Sequence, residues 1–508
     1  MTSFNPADLG LIAPELILGG TLVAVVAVDL MLPDHLKYLG GVTALVGLVA
    51  ASFPLLTLAV CDELSGCTDT GVRSLFGGSY VIDDFSLVLK GLFVVVGVVT
   101  LLLSVGYIES DEYYQGEFYF LVLASITGAV IMASSRDLIS MFIGLELVSA
   151  PAFLLAGWRK GDVRSNEASL KFFLIGVLSA AILLFGMSLV YGLTGELTFS
   201  GIAAQAAALN LVDEPAFVLA VIFVLVGFGF KISAVPFHFW APDTYQGAPT
   251  PVAAYLSVGS KAAGFVGLLV VCYQAFAPVK EIWGPILWVL AAASMTVGNL
   301  IALRQTNIVR LLGFSSVAQG GFILVPFAMA ATYDSVGLED AFFASVTYMI
   351  IYAFMNLGAF AVVIAAANRV GGGEMDDWAG MGRHSPMLAG LVAVFFFSLA
   401  GVPPLAGWFA KFVMFRAVIG AFDSTWAVVL AVIAAVNAVI ALFYYARVVK
   451  TVFMDDVPVS APMPELKATS PSLGLALGLT TAAVVAAGFF PQILAFFGDA
   501  SRALAIGP

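Results

Sequence analysis

Residues 227–240 read GFGFKISAVPFHFW and close an apolar run, FVLAVIFVLV, that begins at Phe217. The run is long enough to approach the ~20 residues a helix needs to span hydrocarbon, yet it ends in a lysine, then a proline five positions on, then a histidine. Pro236 has no N–H to donate and breaks a helix just after Lys231. Backbone groups freed at membrane depth are tolerated only against protein or a watery cavity. The stretch therefore reads as a broken transmembrane helix with an amine at its fracture.

The rest of the chain agrees on the solvent. Of 508 residues, 61% are hydrophobic and 11% charged, and the mean hydropathy is +1.04, well above the ~45–50% apolar content of soluble domains. Apolar runs recur at about 11–31, 39–60, 84–106, 118–134, 137–157, 169–193, 215–239, 250–275, 282–303, 307–330, 341–368, 386–417, 424–453 and 472–495. They predict an all-α polytopic membrane protein of about fourteen transmembrane helices. A β-barrel is excluded, because its strands alternate apolar and polar residues. The longest gaps, 61–83, 194–214 and 454–471, leave room for a short hairpin or a surface helix and no soluble domain.

Basic residues orient these spans. Loops after odd-numbered spans hold eleven: Lys37, Arg159, Lys160, Arg164, Arg304, Arg310, Arg369, Arg383, Arg447, Lys450 and Lys467. Loops on the other side hold five: Arg73, Arg136, Lys280, Arg416 and Arg502. The positive-inside bias puts the odd loops in the cytoplasm and both termini outside. No basic n-region precedes the first span, so no cleavable signal peptide is expected. A net charge of −12 without a concentrated basic face argues against nucleic-acid or polybasic lipid binding. Cys61, Cys67 and Cys272, with His35, His238 and His384, show no metal or haem spacing. Cys61 and Cys67 lie in an outside loop, where a disulfide is permitted.

The remaining five of the 21 basic residues are lysines at membrane depth: Lys90, Lys171, Lys231, Lys261 and Lys411. Glu146, in GLELVSAPAF, is the clearest acid among them. A charge near the hydrocarbon centre costs about 2.5–3.5 kcal/mol on insertion scales, so each such residue calls for a use. Lys90, near a helix start with Asp83 and Asp84 close by, reads as a snorkelling or ion-paired structural residue. The others read as functional. Burial disfavours an ammonium and a nearby carboxylate favours it, so a buried lysine exchanges its proton according to its neighbours, and interacting groups titrate as a set. Lysines and Glu146 bridged by water would pass protons, and His238 would join them, since an imidazole has an unperturbed pKa of roughly 6.5.

The same device recurs in FFFSLAGVPPLAGWFAKFVMF, residues 395–415, where Pro403 and Pro404 precede Lys411. Two broken, lysine-bearing spans at matching places suggest two inverted five-helix repeats. The organisation expected is residues 1–110 as three N-terminal helices, 111–278 as the first repeat, 279–455 as the second, and 456–508 as a final helix.

FKISAVPFHFWAPDTYQGAPTPV (230–252), GLELVSAPAF (144–153), EASLKFF (167–173), LRQTNIVRLLGFSSVAQGGF (303–322) and GVPPLAGWFAKF (401–412) together resemble the antiporter-like membrane subunits of proton-pumping NADH:quinone oxidoreductase, respiratory complex I. The resemblance covers roughly residues 80–450. APDTYQGAPTPV is more similar to N-type than to M- or L-type subunits, and the lateral helix of the L type has no counterpart. What the resemblance implies is specific. Glu146 and Lys231 would be the family's paired carboxylate and amine, Lys261 the central lysine, Lys411 the terminal one, Lys171 the additional lysine, and His238 the histidine between Lys231 and the eighth helix. Gln319 stands where many relatives carry histidine, and an amide cannot take up a proton.

The implied function is proton translocation in the bacterial inner membrane, driven by quinone reduction elsewhere. FMN and iron–sulfur clusters would lie in partner subunits, with none in this chain. Its neighbours would be the K and M subunits, with the peripheral redox arm reached indirectly. The GGG at 371–373, followed by Glu374, Asp376 and Asp377, reads as a surface turn rather than a nucleotide loop. Two alternatives stay open: a subunit of a multisubunit cation/proton antiporter, and a non-transporting structural subunit whose charges only join helices.

Overall fold

The computed structural model describes residues 8–60, 71–109, 116–329, 332, 335–421, 423–457, 469–493 and 499. Cys61 and Cys67, and the disulfide expected of them, lie outside those residues. In hydrocarbon every backbone N–H and C=O must be satisfied within its own segment, so the apolar runs become helices. The first seven are α1 (Ala13–Met31), α2 (Tyr38–Val60), α3 (Asp84–Glu109), α4 (Gly116–Ser134), α5 (Leu138–Ala156), α6 (Val163–Thr194) and α7 (Pro215–Lys231). There follow α8 (Thr250–Ala275), α9 (Lys280–Ala302), α10 (Ile308–Ala328) and α11 (Ser335–Val370). The last four are α12 (Pro386–Ala400), α13 (Ala406–Ile419), α14 (Thr425–Met454) and α15 (Pro471–Phe489). Among the described residues twelve helices are long and apolar enough to cross a membrane, and two shorter apolar ones, α7 and α12, each end at a fracture.

The helices sort into an inner and an outer set. Every residue of the most apolar stretch of α8 is buried, as are 94% for α11 and 89% for α10, against 22% for α1 and 28% for both α2 and α14. Small residues let the inner helices approach closely. A Cβ on Gly298 of α9 would lie 2.7 Å from the backbone nitrogen of Ala318 on α10, and one on Gly128 of α4 would lie 2.8 Å from the carbonyl oxygen of Gly144 on α5.

Both breaks fall where the prolines put them. α7 stops at Lys231, residues 232–239 run as turns with Ser233 at φ 58°, and a short helix resumes over Trp240–Gly247. Side chains meet the backbone groups so freed: Trp240 donates from Nε1 to the Phe230 carbonyl at 3.2 Å, and the Val235 N–H donates to Ser294 Oγ of α9 at 2.9 Å. The span expected over 386–417 is likewise two helices, α12 and α13, joined through Gly401 at φ 90°, where a Cβ would also lie 2.7 Å from Lys411 Cδ.

Outside the spans, the 61–83 gap contains a two-stranded antiparallel hairpin, β1 (Arg73–Leu75) and β2 (Tyr80–Ile82). The 194–214 gap contains the helix Phe199–Ala208, N-capped by Thr198.

Candidate functional site

The buried amines rest on hydroxyl and carbonyl oxygens of neighbouring helices, and one of these carbonyls is freed at a helix end. Lys231 is the final residue of α7 and 2% exposed. Its ammonium donates to Ser149 Oγ of α5 at 2.8 Å. Glu146 lies one turn before Ser149 on the same helix, half-buried, with its Oε1 shut away from solvent and hydrogen-bonded to no protein group. Among the described residues no carboxylate comes within 4.0 Å of Lys231. The amine and acid are thus neighbours joined through a serine helix and not a closed ion pair. Gly264 of α8 makes room for the lysine, since a Cβ there would lie 2.8 Å from Lys231 Cγ.

Lys261 sits in the middle of α8, 1% exposed. It donates to the carbonyl of Ser316 at 2.7 Å and to Ser316 Oγ at 2.5 Å, both on α10. The five residues preceding it, Leu256–Ser260, are wound as a π-helix, as are Val271–Ala275. Such widened turns rotate side chains off the ordinary helical register and recur at functional positions. Lys411 on α13 is 8% exposed, donates to the carbonyl of Ala400 at the end of α12, and lies 5.4 Å from the centre of the Phe322 ring.

A string of polar groups runs between Lys261 and Lys411. Ser315, beside Ser316 on α10, bonds the Tyr445 hydroxyl of α14 at 2.5 Å. One turn on, Gln319 donates to that hydroxyl at 3.3 Å and to the Leu399 carbonyl at 3.1 Å, and accepts from Tyr348 of α11 at 2.6 Å. Leu399 adjoins Ala400, the residue that receives Lys411. Ser149, Ser315, Ser316, Tyr348 and Tyr445 were not singled out in the sequence. The adjacent serines of GFSSVAQGG in an apolar run were the available signal; the tyrosines had none, because their helices carry several.

Other expectations change. Lys171 was expected at membrane depth. Its helix begins earlier than expected, at Val163, and its side chain is 42% exposed, bonded to Glu167 at 2.5 Å and to Asp243 at 2.8 Å. Asp243 also receives Arg310 at 2.6 Å, so this charged group ties α6 to α10 at the surface. His238 is 6% exposed, lies 4.7 Å from the Phe239 ring, and has no protein hydrogen bond at Nδ1; no hydrogen bond joins it to Lys231. Lys90 is wholly buried, but its partners are Glu15 of α1 at 2.9 Å and the Tyr80 hydroxyl at 3.0 Å rather than Asp83 or Asp84. Asp83 pairs instead with Arg136 at 2.9 Å. Arg136, counted among loop cations, is 4% exposed. No cluster of three or more His, Cys, Asp or Glu able to hold a metal ion occurs among the described residues.

Two fractured helices, each with a buried amine beside its break, inside a helical membrane body define an antiporter-like membrane subunit. Residues 135–440 match the family described as "NADH:quinone oxidoreductase/Mrp antiporter, TM". The NADH-quinone oxidoreductase subunit N 2 of Streptomyces griseus is 43% identical over 91% of this chain and 85% of its own length. The subunit N of Trichlorobacter lovleyi is 37% identical over 98% and 97%. The chain belongs to the NADH-quinone oxidoreductase subunit N family. Among solved structures it is similar to a chain of respiratory complex I from Thermus thermophilus with bound aureothin, at TM-score 0.75 and 28% identity over 96% of this chain and all of that one. A chain of the Mrp complex from a Dietzia species shares the fold, at TM-score 0.80 and 20% identity over 97% of each chain.

Proposed function

We propose that this chain translocates protons as a membrane-arm subunit of NADH:quinone oxidoreductase, using Lys231, Lys261 and Lys411 as carriers and quinone reduction in partner subunits as the drive. The observation that carries the reading is that all three amines are buried, at 2%, 1% and 8% exposure, and each rests on hydroxyl or carbonyl oxygen rather than on a carboxylate. A buried ammonium without a counter-charge releases its proton far more readily than one in an ion pair. Glu146 tunes Lys231 across Ser149. His238, Tyr245, Ser233 and Tyr352 have buried polar atoms without protein partners, and these are positions that water would bridge. Lys171, with Asp243 and Arg310, lies at the polar surface where protons are collected.

The chain is organised as residues 1–110, two inverted repeats over 111–278 and 279–455, and a final helix in 456–508. It lies in the bacterial plasma membrane with both termini outside, beside the K and M subunits, and FMN and iron–sulfur clusters belong to the redox partners. Lys231→Ala in the assembled complex, reconstituted in sealed vesicles, tests the reading. Proton uptake per NADH should fall severalfold with the complex intact; unchanged pumping would refute the role of this lysine.

A further inference from the structure

We propose that the cleft between α11, α12 and α15 is a binding site for one anionic phospholipid, with the phosphate at Arg369 and His384 and an acyl chain lying along α15. The site is separate from the buried amines and does not depend on their role.

The cleft has a volume of about 790 Å³. Its mouth lies where α11 ends and α12 and α15 begin, and most of its polar lining, Asn368, Arg369, His384, Ser385 and Thr469, is collected there. Inward from the mouth the walls are mostly apolar, with Leu388 and Leu391 on α12 and Leu473, Leu477 and Val485 on α15, the polar exception being Thr481, whose buried hydroxyl has no protein hydrogen bond. From residue 473 to 485 a helix advances roughly 18 Å, close to one leaflet of a hydrocarbon core ~30 Å thick. A polar mouth over an apolar slot one leaflet deep has the shape of a phospholipid.

Glycines make the slot. Gly474 and Gly478 stand one turn apart on α15 and line the cleft, and a Cβ on either would meet no atom within 4 Å. Helix packing does not explain them. Gly488, farther along the same helix, is the contrast: its Cβ would lie 1.9 Å from the Pro404 carbonyl oxygen, so close approach to the second break requires glycine there.

The mouth selects an anion. Arg369 donates from Nε to Ser385 Oγ at 3.0 Å, which holds the guanidinium at the opening, in the geometry that suits phosphate oxygens. Ser385 is the N-cap residue of α12 but makes no side-chain cap, so the positive end of that helix dipole adds to the same field. Among the described residues no Asp or Glu lines the cleft. A choline headgroup would bring a second cation against Arg369; a glycerol or other uncharged headgroup leaves the phosphate charge to be answered by it.

The test uses the whole complex in vesicles of phosphatidylcholine and phosphatidylglycerol carrying a photoactivatable phosphatidylglycerol. Lipid adducts should appear on peptides containing residues 385–391 and 469–485. The pair Gly474→Leu and Gly478→Leu, which fills the slot, and the pair Arg369→Gln and His384→Gln, which removes the headgroup contacts, should each lower them by about tenfold. A wild-type complex without adducts there, equal labelling by a phosphatidylcholine probe, or protection of these peptides by a neighbouring subunit's polypeptide would overturn the proposal. The wild-type labelling decides even if a variant fails to assemble.

Discussion

Gln319 of α10 and Lys411 of α13 donate to adjacent carbonyls at the broken end of α12, the glutamine to Leu399 at 3.1 Å and the lysine to Ala400. The fracture that Pro403 and Pro404 impose thus supplies the acceptors that hold both side chains. Gln319 cannot take up a proton, yet it joins Tyr348, Tyr445 and α12 in one network, so its part is to position.

Gln319→Leu should therefore leave the Tyr348 hydroxyl and the Leu399 carbonyl without this partner, at about 1–3 kcal/mol for each buried group left unsatisfied. The expected result is a lower thermal midpoint of the solubilised complex together with reduced pumping. Gln319→His, which restores a donor, should recover most of both. Full stability of the leucine variant would show the network to be dispensable.

Gly264→Val places a branched side chain where even a Cβ lies 2.8 Å from Lys231 Cγ. Lys231 would be pushed off Ser149. Proton uptake per NADH should fall severalfold while quinone reduction with uncoupler persists, as vesicle assays of the two activities would reveal. A matched decline in both would point to misfolding instead.

Lys90 and Glu15 form a buried pair, with side chains 1% and 13% exposed. Removing one partner strands the other charge, a loss of about 3–5 kcal/mol, whereas removing both is far milder. Lys90→Met alone should impair assembly and the double variant with Glu15→Gln should regain much of it, measured by the yield of intact complex on native gels. Additive losses would mean that the two residues do not act as a pair.

At the surface, Lys450 holds the Asp455 carboxyl below its ordinary value of 3.8, chiefly through a hydrogen bond. A depressed carboxylate pKa favours the folded state above the unfolded value and ceases to do so as pH falls through the folded one. The pair is solvent-exposed, at 60% and 37% of its side chains, so Asp455→Asn should leave the thermal midpoint at pH 7 unchanged within error. A clear drop in calorimetry would reveal a partner for Asp455 beyond Lys450.

Sequence alone determined the solvent, the apolar helices, both helix breaks and the burial of Lys231, Lys261 and Lys411. All of these depend on runs of neighbouring residues or on the missing N–H of proline. Tertiary structure decided who meets whom. It gave Lys90 to Glu15, buried Arg136 against Asp83, left Lys171 part-exposed between Glu167 and Asp243 and strung Ser315, Gln319, Tyr348 and Tyr445 between two lysines. Hydropathy averages around a helix and so cannot say which way a side chain faces; that direction is set by the packing of distant helices against one another.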